Sequence, residues 1–376
     1  MPNVDRETLR QELLDLFEAG FDIPLPEARF TELALRVFAY QFAHNPPYAA
    51  YCRRRGVIPD RLADWRDIPA VPTAAFKEVA LVAGDPATAR AIFRTSGTTR
   101  GPERRGQHYV LDPALYHASL VPTFEALVLP DGVRPPMLSL IPSPADAPDS
   151  SLSHMVGVLA QRLGGPDSAW FAGQGGFERA RLTTILRTHE REARPVCLLG
   201  TSIAFADWLE ELRAGEERFR LPLGSRIMDT GGYKGSGREV AADDVQAALT
   251  ELLGIPESHQ INEYGMTELF SQYYDARLRD RVRGVTGEPR RKVGAPWLRA
   301  LVVDPESLAP VPPGQTGILR HVDLANLDSV LAVQTEDLGR EVPGGFELLG
   351  RTPGAPPRGC SLAADQFLAA ARELQV

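Results

Sequence analysis

The sequence predicts an α/β protein: a largely parallel sheet flanked by helices, followed by a β-rich sub-domain. Three observations predict it. Between about residues 136 and 266 short apolar runs alternate with helical patterns, and the first 45 residues carry two amphipathic stripes. Beyond 266 the chain breaks into short strand-like pieces separated by turn residues. Strand and helix in alternation point to a parallel sheet, because parallel neighbours need a long crossover between them.

The elements follow in order. Leu9, Leu13, Leu16 and Phe17 share a face of the first helical pattern, and Leu33, Val37, Phe38 and Phe42 a face of the second, as core-facing helices require. The alternating region then reads MLSLIP, a helix opened by Ser150, AWFAG, a helix near Phe177, VCLLGTS, a helix near Asp207, RIMDTGG, a helix from Glu239, and QINEYGM. ALVVD, GILRHV, LAVQT and FELLG are the later strands. Residues 352–359, TPGAPPRG, are too rich in Pro and Gly for a helix or central strand and read as a linker, with a short helix from Ser361 after it. The expected division is 1–90, an N-terminal helical part of the large domain; 91–351, the core; and 352–376, a linker and short helix carrying Cys360.

A net charge of −8 supplies no basic field, so neither nucleic acid nor an anionic membrane surface is an expected partner. No apolar run approaches the roughly 18 residues of a membrane span, and the acidic start lacks the pattern of an export signal, so the cytosol is the expected location. Three scattered cysteines, Cys52, Cys197 and Cys360, fit reduced thiols better than a disulfide framework. Cys197, within VCLLG, reads as core. Of 41 basic residues only Lys77, Lys234 and Lys292 are lysines, and Lys292, in PRRKVG, reads as part of a solvated charge run.

Two segments carry candidate chemistry. Residues 93–107, FRTSGTTRGPERRGQ, set Thr95, Ser96, Thr98 and Thr99 around Gly97 with arginines close behind. Glycine lets backbone N–H groups turn inward, and hydroxyls and guanidinium groups add donors, so such a loop can hold phosphate; read alone, such a cluster is more often an ordinary surface loop. No Walker A pattern is present. In the second segment, QINEYGMTEL (260–269), a strand ends in Tyr264, Gly265, Thr267 and Glu268. A tyrosine ring there can stack on a base, a threonine can donate to phosphate and a carboxylate can ligate Mg²⁺; the alternative is a packed strand-to-turn edge.

Taken together, TSGTT and NEYGMTE resemble the adenylate-forming superfamily of acyl-CoA ligases, peptide-synthetase adenylation domains and luciferase. The resemblance covers about residues 90–351 and implies that family's large domain. It implies ATP and Mg²⁺ as cofactors, with phosphates on Thr95, Ser96, Gly97, Thr98 and Thr99. DTGGYKG resembles the glycine-containing strand end beside adenine, which implies that role for Gly231 and Gly232, together with Tyr264 and Gly265. QTEDLGR resembles the ribose segment, so Asp337 would accept from the ribose hydroxyls, and Arg351 resembles the arginine that ends the large domain. Thr267 and Glu268 would act at the reacting phosphate, Glu268 as the metal ligand. SSLSHM resembles the region lining the acyl pocket, which would bring His154 to the carboxylate.

The departures are informative. Arg100 stands where the phosphate loop usually has glycine, and Glu336 precedes Asp337 where glycine is usual. Only 25 residues follow Arg351, none of them lysine, so the lysine that full-length members bring from a C-terminal domain is not expected; Lys234 or Lys77 would replace its charge. The short C-terminus, RGCSL, IPAVPTAAFK, GGYK and SSLSHM together resemble the acyl-protein synthetases of the LuxE type. That resemblance implies a C-terminal cysteine, here Cys360, that accepts the acyl group and gives it to a partner protein, a reductase or carrier protein. A position directly before a helix, with Arg358 near, is expected to favour the Cys360 thiolate. The alternatives are a ligase that acylates coenzyme A or a carrier directly, and a non-catalytic nucleotide-binding subunit.

Overall fold

The alternating segments wind into the expected parallel sheet. The computed structural model describes residues 5–95, 105–232, 234, 235, 238, 239, 241–352 and 357–374. Its contacts divide the chain into two units, one of Met1–Pro122, Met266–Gln272 and Val293–Val376, the other of Thr123–Gly265 and Tyr273–Lys292.

In the second unit the parallel strands are Met137–Ser139, Ala169–Trp170, Cys197–Thr201, Arg226–Thr230 and Gln260–Tyr264. Numbered along the chain their order across the sheet is 2-1-3-4-5, the doubly wound arrangement, and Tyr273–Asp275 adds an antiparallel edge beside Gln260–Tyr264. Helices Ser151–Leu163, Arg179–Arg191, Ser202–Ala214 and Ala242–Leu253 make the crossovers. Leu138, Leu198 and Ile227 of the strands pack with Phe205, Trp208 and Leu252 of the helices. Each such side chain contributes about 1.5–3 kcal/mol on burial, which is why strands this short are kept in register. Cys197, fully buried in its strand, is core as expected, and burial pushes its thiol up to about 12.

The first unit holds the later strands, Leu298–Val303, Thr316–Asp323, Ala332–Val342 and Gly345–Arg351, as an antiparallel meander. Val71–Pro72 runs parallel beside the third of these, with Val71 opposite Val333. Helix Glu27–His44 is tied to the meander by Gln41, whose Nε2 donates to the Asn326 carbonyl at 2.7 Å while its Oε1 accepts from Leu331 N at 3.0 Å. Leu9, Leu13 and Phe17 of helix Arg6–Glu18 are buried, as are Leu33, Val37 and Phe38 of the next helix, while Leu16 and Phe42 stay half-buried at the stripe edges. Among the described residues no helix is long and apolar enough to cross a membrane.

The C-terminal helix begins three residues earlier than expected, at Arg358, and runs to Arg372. Pro357 stands at its N-cap, where the fixed φ of proline suits a helix start. Gly359 fits this first turn closely: its N–H donates to the Pro305 carbonyl at 2.9 Å, and a Cβ there would lie 2.6 Å from that oxygen and 2.8 Å from the Glu306 carbonyl. Further along, Phe367 is fully buried with its ring 5.1 Å from that of Tyr51, and Arg54 pairs with Glu373 at 2.9 Å.

Candidate active site

In the first unit the meander and the segment Met266–Gln272 gather four of the candidate residues. Asp337 and Arg351 face each other across neighbouring strands, and Arg351 Nε donates to Asp337 Oδ1 at 3.0 Å. The Asp337 backbone N–H is held by Thr335 Oγ1 at 3.1 Å. Glu268 is buried, and burial pushes its carboxyl up to about 7; the positive charges of Arg351 and Lys77 pull in the opposite direction, and Asp337 adds to the rise. Among the described side chains, Lys77 is a lysine whose positive charge reaches Glu268.

The backbone of Thr267 and Glu268 is fixed from two sides. Asn326 Nδ2 donates to the Glu268 carbonyl at 2.8 Å, and the Asp323 carboxylate accepts from Phe270 N at 3.1 Å and from Ser271 N at 2.8 Å. His108 lies 2.7 Å through Nδ1 from the Thr267 carbonyl, which can only accept, so Nδ1 carries the proton. The His108 ring stacks on Phe270 at 4.8 Å, and burial pushes its pKa down to about 4, which keeps it neutral. His108, Asp323 and Asn326 were not legible as site residues in the sequence: each acts through the backbone of a segment more than fifty positions away.

Thr95 is described at the neck of its loop, where its Oγ1 accepts from Gly106 N at 2.9 Å and its carbonyl accepts from Arg105 Nε at 2.5 Å. Ser96, Gly97, Thr98 and Thr99 lie outside the described residues.

The other candidates belong to the second unit. Tyr264 ends its strand with the ring 6.0 Å from that of Tyr273, and Gly265 follows it. Gly231, whose left-handed φ of +85° favours glycine, and Gly232 are exposed beyond strand Arg226–Thr230. His154 sits in the first turn of helix Ser151–Leu163, capped by Ser150, whose Oγ accepts from Ser153 N at 3.1 Å. The backbone of Lys234 pairs with Glu239; its side chain lies outside the description.

Two expectations are reversed. Lys292 is not part of a solvated run: it is buried, and its Nζ donates to the carbonyl and side-chain oxygens of Asn262, both at 2.6 Å, and pairs with Asp275 at 3.0 Å. Strand Lys292–Gly294 turns the lysine inward while Arg290 and Arg291 stay partly exposed. Nor does the helix start favour a thiolate at Cys360. The residue lies within the first turn, packed with Val303 and Ile318, and its sulfur donates to the Thr335 carbonyl at 3.5 Å. Burial outweighs nearby Arg320, Glu336 opposes ionisation as well, and the thiol is pushed up to about 11.

Comparison with known proteins agrees with this architecture. A long-chain-fatty-acid–luciferin-component ligase from Vibrio harveyi is 22% identical over 366 residues, covering 90% of this chain and 88% of its own. Structures of 2-hydroxyisobutyryl-CoA ligase share the fold: one in an open conformation with 2-HIB-AMP and CoA has a TM-score of 0.61 at 17% identity, covering 87% of this chain and 71% of that one. Another, in the postadenylation state with 2-HIB-AMP, has a TM-score of 0.63 over 87% and 69% of the two chains. The family described as acyl-protein synthetase, LuxE, matches residues 176–369, more than half of the sequence. On that match the chain belongs to the LuxE acyl-protein synthetases, ligases with the adenylate-forming fold.

Proposed function

We propose that this enzyme uses ATP to convert a carboxylic acid, fatty or otherwise organic, into its acyl-adenylate, receives the acyl group on Cys360, and passes it to a protein acceptor such as a reductase or carrier protein. The observation that carries the reading is the buried Glu268 carboxyl in the field of Arg351 and Lys77, in the unit that also carries Asp337. In this reading Glu268, its carboxyl pushed up to about 7 by burial, would hold Mg²⁺ by exchanging its proton for the cation. When bound, Mg²⁺ offsets negative charge on the phosphates.

In this reading Asp337 accepts from the ribose hydroxyls, Arg351 holds Asp337 in place, and Thr267 donates to a phosphate oxygen. Thr95 to Thr99 cradle the remaining phosphates, and Tyr264 with Gly231 and Gly232 takes the base. Lys77 supplies positive charge toward the reacting carboxylate, with Lys234 and His154 as further candidates for that contact. The carboxylate oxygen attacks the α-phosphorus and pyrophosphate leaves. Cys360 then loses its proton, its sulfur attacks the acyl carbon, and AMP departs with the electrons of the C–O bond. Because the thiol is buried against the meander, this step requires the C-terminal helix to leave the position described above.

That burial also favours a second reading, in which coenzyme A or a carrier protein receives the acyl group directly and Cys360 is structural. Intact mass after incubation with ATP, Mg²⁺ and candidate acids separates the two. The first reading expects an acyl adduct that Cys360→Ser abolishes while acid-dependent pyrophosphate exchange persists. Thioester formation undiminished in Cys360→Ser selects the second.

A further inference from the structure

The parallel-sheet unit buries a chain of polar groups that the roles above leave unused. Lys292 Nζ donates to the Asn262 carbonyl and Oδ1, both at 2.6 Å, and forms an ion pair with Asp275 Oδ1 at 3.0 Å. With its oxygen turned to Lys292, the Asn262 amide must present its nitrogen the other way, and Nδ2 donates to Asp229 Oδ2 at 3.0 Å. The same Asp229 oxygen accepts from Ser202 Oγ at 2.5 Å, and Ser202 Oγ lies 3.1 Å from the Gly231 carbonyl. The relay thus crosses from Lys292 through strand Gln260–Tyr264 and strand Arg226–Thr230 to the first residue of helix Ser202–Ala214.

Asn262 stands two residues before Tyr264, and Asp229 two before Gly231. The relay therefore joins the ends of the two strands that carry the residues assigned to the base. Packing alone does not call for it. A buried lysine and carboxylates seldom stabilise a sheet more than apolar side chains of similar volume, and Asp229 and Ser202 stand near the carboxyl ends of two parallel strands, where α/β sheets bind ligands. Arg290 donates to Asp275 from Nε at 2.9 Å and from Nη2 at 2.6 Å, so that carboxylate keeps a cation even without Lys292.

We propose that Lys292 is a positioning residue for the purine base: through Asn262, Asp229 and Ser202 it fixes Tyr264 and Gly231 relative to each other and so sets affinity for the adenine end of the nucleotide. The proposal rests on the nucleotide-binding part of the function above. Two measurements on the full chain test it, steady-state acid-dependent ATP–pyrophosphate exchange and calorimetric binding of AMP. Losing one or two charge-assisted hydrogen bonds predicts, for Lys292→Met, a KM for ATP and a Kd for AMP raised about tenfold, with the KM for the acid and kcat changed less than about threefold.

Ser202→Ala, which removes only a hydroxyl, is expected to move the same two constants in the same direction. It carries the test alone if Lys292→Met fails to fold. Unchanged AMP affinity in a folded variant, or KM values for ATP and acid that rise together, overturns the positioning role. A wild-type protein without acid-dependent exchange, but with AMP affinity that these variants weaken, refutes the proposed reaction and leaves the positioning role standing. If the wild type binds no AMP, both fall.

Discussion

Burial pushes the Glu268 carboxyl up to about 7, so on the proposed reading a proton and Mg²⁺ compete for it near neutrality. Activity that needs the carboxylate should fall as pH drops through about 7, and raising Mg²⁺ should move that inflection to lower pH, because metal binding favours the ionised form. Profiles of pyrophosphate exchange against pH at low and high Mg²⁺ check this. Glu268→Gln should lower kcat by about 10²-fold and erase the inflection, whereas an inflection that survives in the variant assigns it to another group. At this scale NEYGMTE stands out in the sequence because its candidate residues form a contiguous string. The sequence was misleading at Lys292, because PRRKVG gives no periodic sign that one cation among three turns inward, and its acceptor Asn262 is 30 positions away.

The C-terminal helix shows what an element adds to a reactive side chain. Its amphipathic pattern was visible, but its start was not. Glycine ordinarily marks a break, and only the carbonyls of Pro305 and Glu306 against Gly359 show why glycine is needed inside the first turn. Gly359→Ala should therefore weaken docking of the helix by about 1–3 kcal/mol and, by favouring the released position, speed alkylation of Cys360 tenfold or more. Timed iodoacetamide labelling with peptide mapping measures it. An unchanged rate would show that docking does not control access to the sulfur. The expected thiolate-favouring helix start failed for a related reason: this turn is pressed against Val303 and Ile318, and burial, with Glu336, pushes the thiol up.

Across the whole molecule, buried ionisable groups pull stability in opposite directions with pH. Glu263, hydrogen-bonded by the Thr230 hydroxyl, is pushed up by burial to about 7, and Asp323 to about 6. Each binds more protons folded than unfolded, so its contribution is most favourable below the ordinary carboxyl value and declines as pH rises toward the folded value. His108 and His321, pushed down to about 4 and about 3, work the other way and are unfavourable only as pH falls below about 6.5. Glu263→Gln keeps an acceptor for Thr230 without the buried charge. It should raise Tm by a few degrees at pH 8, a gain of about 2 kcal/mol that disappears by about pH 5. Thermal melts across that range check the sign. The parallel sheet was foreseeable from strand and helix alternating along the chain, but not its strand order, and these shifts depend on which carboxyls the packing encloses. Enclosure also bears on handling: Cys52, Cys197 and Cys360 are all buried, with thiols pushed up to between about 11 and about 12. Peroxide attacks thiolates, so a sulfur kept protonated and out of solvent resists sulfenic acid formation; on the proposed reading, in which Cys360 leaves its burial to accept the acyl group, the resting enzyme should tolerate air that would inactivate it while working.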